Sequence, residues 1–148
     1  MSEAATVHAA RTVLVGVTGG IAIYKAVDLV RGLVKDGFRP LVVTTESAQR
    51  FVMPLTFAAV SQAPVLDDAG AWQASGGWFR HIEAARASSV MVVAPATANT
   101  LAKMAAGMAD NLLTAIYLAF RGPVIVAPAM NWAMDQHAAT RENLRVLG

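Results

Sequence analysis

The chain has 148 residues, 55% of them hydrophobic, which is enough for one domain with a buried core and too few for two. It contains no cysteine, so disulfides, cysteine-ligated zinc and a cysteine nucleophile are excluded within these residues. Because the net charge is only +2, no Lys/Arg cluster occurs and apolar runs are of strand length, neither nucleic acid nor a membrane is expected as a partner.

The first residues of the chain show no basic-then-apolar signal pattern. We therefore expect residues 1–10 to be a disordered tail on a cytoplasmic protein, and residues 11–148 to form a single domain.

Strand-length apolar runs alternate with segments of helical periodicity along the rest of the chain. The predicted strands cover residues 12–17, 41–44, 90–94 and 124–127. The predicted helices cover residues 21–36, 49–51, 54–61, 81–86, 100–106, 110–120 and 138–147, with Gly37 as a C-terminal cap and a long loop at 67–80. This alternation predicts an α/β fold, a three-layer, doubly wound parallel sheet of the Rossmann-like or flavodoxin-like type.

The first predicted strand leads into a turn that contains Gly19, Gly20 and Ile21. Glycines let a ligand approach the backbone, and the following helix offers free N–H groups, so the turn is a candidate cofactor or phosphate loop. Its spacing matches neither the dinucleotide fingerprint nor a P-loop, and a tight turn that only packs helix on sheet explains it equally well. Ser47, after the second strand, could supply a hydroxyl to the same crevice or cap a helix.

The third and fourth predicted strands are each followed by a proline and then by polar side chains. Pro95 precedes Thr97 and Asn99, and Pro128 precedes Asn131. Since proline has no N–H to donate, we expect both strands to stop there. Parallel strands end at the edge where open α/β sheets bind ligands, so the two turns predict one shared site. Taken alone, Thr97 and Asn99 are also typical helix caps.

Histidine is the side chain best suited to proton transfer near neutral pH. His81 follows the glycine-rich loop and precedes an apolar strand, which makes it a candidate acid/base residue. His8 and His137 lie in the predicted tail and in a charged stretch, so we expect them to be exposed or structural.

Four segments of the chain resemble the homo-oligomeric flavin-containing cysteine decarboxylases. They are His-Ile-Glu at 81–83, Pro-Ala-Thr-Ala-Asn-Thr at 95–100, Gly-Met-Ala-Asp-Asn-Leu-Leu-Thr at 107–114 and Pro-Ala-Met-Asn at 128–131. The resemblance extends from Arg11 to Gly148. Within the family, the chain is similar both to peptidyl-cysteine decarboxylases and to phosphopantothenoylcysteine decarboxylases.

The resemblance implies FMN as the cofactor and assigns roles to the predicted site. His81 would be the acid/base residue, and Asn131 would hold the carboxylate and amide of the substrate, with Met130 beside it. The helix at 110–112 would pack at a trimer interface, where a neighbouring subunit completes the site, and some members assemble trimers into dodecamers. The residues that would bind FMN are Gly19, Gly20, Ile21, Ser47, Thr97, Ala98, Asn99, Thr100 and Ala129.

The activity that the resemblance implies is oxidation of a substrate cysteine and loss of its carboxylate as carbon dioxide, which leaves an enethiol. We place the C-terminal cysteine of a peptide first as substrate, because relatives that reduce the enethiol use a cysteine and these 148 residues contain none. Phosphopantothenoylcysteine of coenzyme A synthesis stays open, since Pro-Ala-Met-Asn resembles that branch. A non-catalytic regulatory flavoprotein also stays open, although such members usually carry acidic tails.

Overall fold

A computed structural model describes residues 11–71 and 79–148 of the chain. Its strands are β1 (Thr12–Val17), β2 (Arg39–Thr44), β3 (Val90–Ala96) and β4 (Val124–Pro128). They form one parallel sheet in the order β2-β1-β3-β4. The predicted doubly wound parallel sheet is thereby confirmed.

Helices cover both faces of this sheet. In the described part of the chain they are α1 (Ile23–Lys35), α2 (Pro54–Ser61), α3 (Arg80–Ala87), α4 (Ala98–Ala106), α5 (Leu112–Ala119), α6 (Trp132–Gln136) and α7 (Ala138–Leu147), with 3-10 turns at Ala48–Arg50 and Asp68–Gly70. α1 and α2 pack on one face, and α3, α4 and α5 pack on the other. None of these helices has the length and apolar character that a membrane span needs.

β1 is the central strand and contributes to two hydrophobic cores. Successive side chains of a strand point to opposite faces, so Val13, Val15 and Val17 pack with the buried side chains of α1 and α2. Leu14 packs on the other face, with Met91 of β3 and with α3, α4 and α5. Burial on both faces explains the unbroken apolar sequence of β1.

β4 is an edge strand that is covered on one face only. Val124 and Val126 pack against the core formed with α3, α4 and α5. Ile125 and Ala127, which point to the opposite face, are exposed. The sheet therefore presents an apolar surface at this edge.

The structure extends β3 past the position at which the sequence predicted its end. β3 continues through Pro95, because the ladder to β4 shifts register between Val93 and Ala96 and resumes where Ala96 pairs with Pro128. The expectation that Pro95 stops the strand is wrong. At the register shift, the residue in β3 does not have to donate a backbone N–H to the ladder, so a proline can occupy this position.

Helix boundaries agree best with the sequence where a cap or a proline marks them. α2 and α7 have the predicted bounds, and Gly37 follows α1 with the positive φ of 83° expected of a C-terminal cap. α6 was not predicted, nor was the bridge that pairs Leu66 with Val43 at the edge of β2. The predicted tail at 1–10 and residues 72–78 of the predicted loop lie outside the described residues.

Candidate functional site

Thr18 joins the turns that follow β1 and β3. Its hydroxyl donates a hydrogen bond to the carbonyl oxygen of Pro95 at 2.5 Å and accepts one from the backbone N–H of Thr97 at 3.0 Å. β2 lies on one side of β1 and β3 on the other, so these turns flank the point where the strand order reverses. Open α/β sheets bind their ligands at that point, which supports the predicted convergence of the two turns.

Gly19 and Gly20 lie against side chains from two other turns. A Cβ placed on Gly19 would lie 2.5 Å from Oγ of Ser47, and one placed on Gly20 would lie 3.6 Å from Cγ2 of Thr97. We call Gly19, Gly20, Ser47 and Thr97 the cradle. An alanine at position 19 would overlap Ser47, so the close approach of the turns after β1 and β2 requires glycine there.

The helix that follows the cradle begins without a side-chain cap. Ala22 at the N-cap of α1 makes no capping bond, and the first turn of α1 has no acidic residue. Ser47 makes no capping bond either, and its hydroxyl lies 3.2 Å from Oγ1 of Thr45. The N-terminus of α1 therefore keeps its partial positive charge next to the glycine turn, an environment that favours the binding of a phosphate group.

Residues 97–100 form the start of α4. Oγ1 of Thr97 accepts the backbone N–H of Thr100 at 3.3 Å, so Thr97 is the helix cap that its position in the sequence suggested. Thr100 is buried, Ala98 is half-buried and Asn99 is exposed. The Asn99 amide is thus the most accessible polar side chain of this segment. Capping of α4 uses only one lone pair of the Thr97 hydroxyl oxygen, so this cap is compatible with a ligand beside Thr97 and Asn99.

The turn after β4 is hydrogen-bonded to β3 beside the cradle. The N–H of Ala129 donates to the carbonyl oxygen of Ala96 at 3.1 Å. Asn131 is exposed, and its Oδ1 accepts the N–H of Ala133 at 2.8 Å as the cap of α6. This bond uses the oxygen of the amide, so the NH₂ group of Asn131 is the part that can donate to a ligand. Met130 is half-buried against the core.

His81 lies near the start of α3 on the wall of a cavity of about 460 Å³. Its ring stacks on that of Phe79, with ring centroids 6.0 Å apart. Among the described residues this cavity is partly open to solvent, and the half-buried imidazole of His81 is accessible from it. Its acidic lining residues are Glu46, Asp68 and Asp110.

The start of α5 forms another wall of this cavity and is capped twice. Oδ1 of Asn111 accepts the N–H of Thr114 at 2.9 Å, and Oδ1 of Asp68 accepts the N–H of Leu112 at 2.7 Å. Lys103 forms an ion pair with Asp110 at 2.8 Å. The residues predicted to lie at a subunit interface are therefore held in a fixed conformation.

The structure brings together one part of the predicted site but not all of it. The turns after β1, β2 and β3 meet in the cradle, and Ala129 is bonded to the residue that precedes Thr97. His81 lines a cavity to which none of the predicted cofactor-binding residues contributes. Sequence analysis missed Thr18 and Asp68, because their hydrogen bonds join residues 79 and 44 positions apart.

Comparisons with known proteins identify the family of this chain. The family model described as Flavoprotein matches residues 1–148. The Coenzyme A biosynthesis bifunctional protein CoaBC of Vibrio cholerae is 47% identical over 141 residues, which are 94% of this chain and 35% of that protein. CoaBC of Bacillus subtilis is 47% identical over 137 residues, or 93% of this chain and 34% of that protein. This chain thus spans about a third of the length of these curated relatives.

Two solved structures have the same fold over most of this chain. The FMN-dependent cysteine decarboxylase SpaF is 32% identical with a TM-score of 0.87, and the match covers 94% of this chain and 79% of that chain. A PPC decarboxylase mutant in complex with pantothenoylaminoethenethiol is 33% identical with a TM-score of 0.81, and the match covers 92% of this chain and 76% of that chain.

Proposed function

Because this chain belongs to the Flavoprotein family, we propose that it binds FMN and decarboxylates a substrate that contains cysteine. The resemblance to flavin-containing cysteine decarboxylases, which four sequence segments indicated, is confirmed at the level of the family. SpaF, the structural relative with a TM-score of 0.87, is an FMN-dependent cysteine decarboxylase, and this supports both the cofactor and the reaction class.

The observation that carries the proposal is the cradle at the switch point between β1 and β3. The uncapped N-terminus of α1 suits the phosphate of FMN, and the close contact of Gly19 with Ser47 brings a hydroxyl to the same place. Gly20, Ile21 and the segment at 97–100 are the backbone and side chains that would lie along the rest of the cofactor. Ala129 would contact it from the turn after β4.

FMN, when bound, supplies the two-electron oxidation after which the substrate carboxylate can leave as carbon dioxide. The chain supplies binding, orientation and proton transfer. Asn131 donates from its NH₂ group to the substrate carboxylate, since its oxygen is already engaged in capping α6. His81 takes the proton of the substrate thiol, and its place on an open cavity gives the imidazole access to solvent for proton exchange.

Phosphopantothenoylcysteine is the first candidate substrate. The CoaBC proteins are about 47% identical to this chain, whereas SpaF is 32% identical, so sequence similarity favours the coenzyme A branch. The C-terminal cysteine of a peptide, which the sequence analysis placed first, is the second candidate, and the higher TM-score of SpaF supports keeping it. The comparisons do not single out the peptide substrate. A cytoplasmic location accords with relatives that are named for coenzyme A biosynthesis.

A complete site is proposed to need a second copy of the chain, as in a trimer or in a dodecamer built from trimers. No cradle residue lines the cavity of His81 within one chain, so we propose that a neighbouring subunit presents its own His81 to the cradle. Ile21, beside the cradle, is 82% exposed, and Trp132, beside Asn131, is 76% exposed. We propose that a ligand or the neighbouring subunit covers these two side chains.

The purified protein should be yellow, and mass spectrometry of its products identifies the reaction. Loss of carbon dioxide alone from phosphopantothenoylcysteine marks the reductive route of the coenzyme A branch. Loss of carbon dioxide and two hydrogens from a peptide that ends in cysteine marks the oxidative route. A yellow protein that converts neither substrate would point to a regulatory flavoprotein, and a colourless protein that takes up no added FMN would overturn the proposal.

A further inference from the structure

We propose that Thr18 is a positioning residue that holds the glycine turn and the Thr97 segment of the cradle at a fixed separation. Thr18 is fully buried, with 0% of its surface exposed, so it does not itself meet a ligand. Its single hydroxyl makes two hydrogen bonds, one as donor to Pro95 and one as acceptor from Thr97. The effect of Thr18 on the affinity for FMN rests on the proposed function, whereas its effect on the backbone of Thr97 does not.

The hydroxyl is needed because the sheet does not satisfy these backbone groups. Between Val93 and Ala96 the ladder from β3 to β4 shifts register, and the pairing of β3 with β1 ends at Val93. The carbonyl oxygen of Pro95 is therefore a buried acceptor at a place where the ladder is interrupted. Leaving such a group without a partner destabilises a fold, and the Thr18 hydroxyl removes that penalty.

The same hydroxyl fixes the start of α4. Thr97 gives its N–H to Thr18 and uses its side chain to cap α4 through Thr100, so its backbone and its side chain are both engaged. Thr18 precedes Gly19 directly, and a Cβ on Gly20 would lie 3.6 Å from the methyl group of Thr97. If Thr97 moves away from Thr18, the distance between Thr97 and Gly20 increases, and the cradle becomes wider between these two residues.

Substitution of Thr18 by valine and by serine distinguishes the positioning role of its hydroxyl from a role in packing alone. Thr18→Val keeps the shape of the side chain and removes both hydrogen bonds, whereas Thr18→Ser keeps the hydroxyl and removes only a methyl group. Thr140→Val is the matched control, because Thr140 is a buried threonine of α7 whose hydroxyl makes no hydrogen bond to the cradle. All variants are compared well below their melting temperatures, so that only folded protein is titrated.

The first measurement is the dissociation constant of FMN, which is determined from the quenching of flavin fluorescence on binding. Thr18→Val should bind FMN about tenfold more weakly, equivalent to about 1.4 kcal/mol. Thr18→Ser should bind within about twofold of the unsubstituted protein, and Thr140→Val should be unchanged. If Thr18→Val has a lower melting temperature but binds FMN as tightly as the unsubstituted chain, Thr18 stabilises the fold without positioning the cradle, and the proposal is overturned.

The second measurement needs no cofactor and separates this inference from the proposed function. In the unsubstituted, FMN-free protein the amide of Thr97 should exchange its hydrogen slowly, as should the amide of Met91, which donates to the carbonyl oxygen of Pro123 in the core. Thr18→Val should speed exchange at Thr97 and leave Met91 unchanged. Rapid exchange of Thr97 in the unsubstituted protein would overturn the positioning role, even if a variant fails to fold. Failure of the unsubstituted protein to bind FMN would instead overturn the proposed function.

Discussion

Gly19 and Gly20 are neighbours in the cradle but have different spatial constraints. Gly19 has no room for a methyl group, since a Cβ would lie 2.5 Å from Oγ and 2.7 Å from the backbone carbon of Ser47. Gly20 has room, because its nearest neighbour would be a methyl carbon at ordinary contact distance. Neither residue has a positive φ, so alanine would not strain the backbone at either position.

Alanine substitutions should therefore separate folding from cofactor binding. We expect Gly19→Ala to lose about 1–3 kcal/mol of unfolding free energy, as overpacking of a filled site does. Gly20→Ala should keep its stability and bind FMN about tenfold more weakly, because its methyl group projects into the cradle. Chemical denaturation of the cofactor-free protein and FMN titration measure the two effects. Equal FMN affinity in Gly20→Ala and the unsubstituted protein would place the cofactor elsewhere.

Asn131 combines a structural and a proposed functional role in one amide. Asn131→Asp keeps an oxygen that can cap α6, and aspartate is as good a cap as asparagine. It replaces the donating NH₂ group by a negative charge, so the KM for a substrate carboxylate should rise by about tenfold or more. Stability and FMN affinity should not change. Unchanged KM in steady-state kinetics would contradict the anchoring role, and Asn131→Ala provides the comparison in which the cap is lost as well.

At the scale of elements, the start of α5 depends on a residue far away in the chain. Asp68 accepts the N–H of Leu112 and lies in the wall of the His81 cavity. Asp68→Ala should lower the unfolding free energy by about 1 kcal/mol, the usual value of an N-terminal cap. Asp68→Asn should lose less, since the amide oxygen can still accept. Urea denaturation measures both, and equal losses in the two variants would show that the charge, not the hydrogen bond, stabilises α5.

Element types were predictable where the local signal is strong, as in the central strand β1, which is buried on both faces, and in the amphipathic helix α1. The Pro54 start of α2 and the apolar run of β1 are local signals, and the structure agrees with both. α6 was missed because five residues are too few to show a helical period. The end of β3 was misplaced because the register shift that admits Pro95 depends on β4, which is distant in sequence.

The candidate site was predictable only in part, for a related reason. Gly19, Ser47 and Thr97 could be grouped because each follows a strand of a parallel sheet, and such strands end at one edge. The two hydrogen bonds of the Thr18 hydroxyl could not be predicted from the neighbouring sequence, because threonine is common in the turns that follow strands. The placing of His81 in a cavity with the start of α5, and without a cradle residue, could likewise not be predicted, because it depends on how α3 packs against α5.

At the scale of the whole molecule, a site shared between two subunits, as proposed above, predicts that two defective chains can restore each other. His81→Asn should bind FMN and fail to decarboxylate, and Gly20→Val should lack FMN and also be inactive. In mixed oligomers formed at equal amounts, about a quarter of the interfaces would pair an intact cradle with an intact His81. Carbon dioxide release should therefore recover after the two variants are refolded together.

Each variant refolded alone is the control and should stay inactive. Native mass spectrometry establishes that mixed oligomers have formed. If mixed oligomers form without recovery of activity, His81 and the cradle act within one subunit, and the shared site is wrong.

The hydrogen bond from Thr97 to Thr18 spans 79 residues of the chain, so the cradle does not exist until β1 and β3 have paired. A ligand that binds only the folded form adds its binding energy to folding, about 2.7 kcal/mol at a hundred times its dissociation constant. Cells that are short of riboflavin would then accumulate more unfolded chain, and weakened variants would be rescued by the vitamin. The supply of this one coenzyme would thus set how much of the folded chain survives proteolysis.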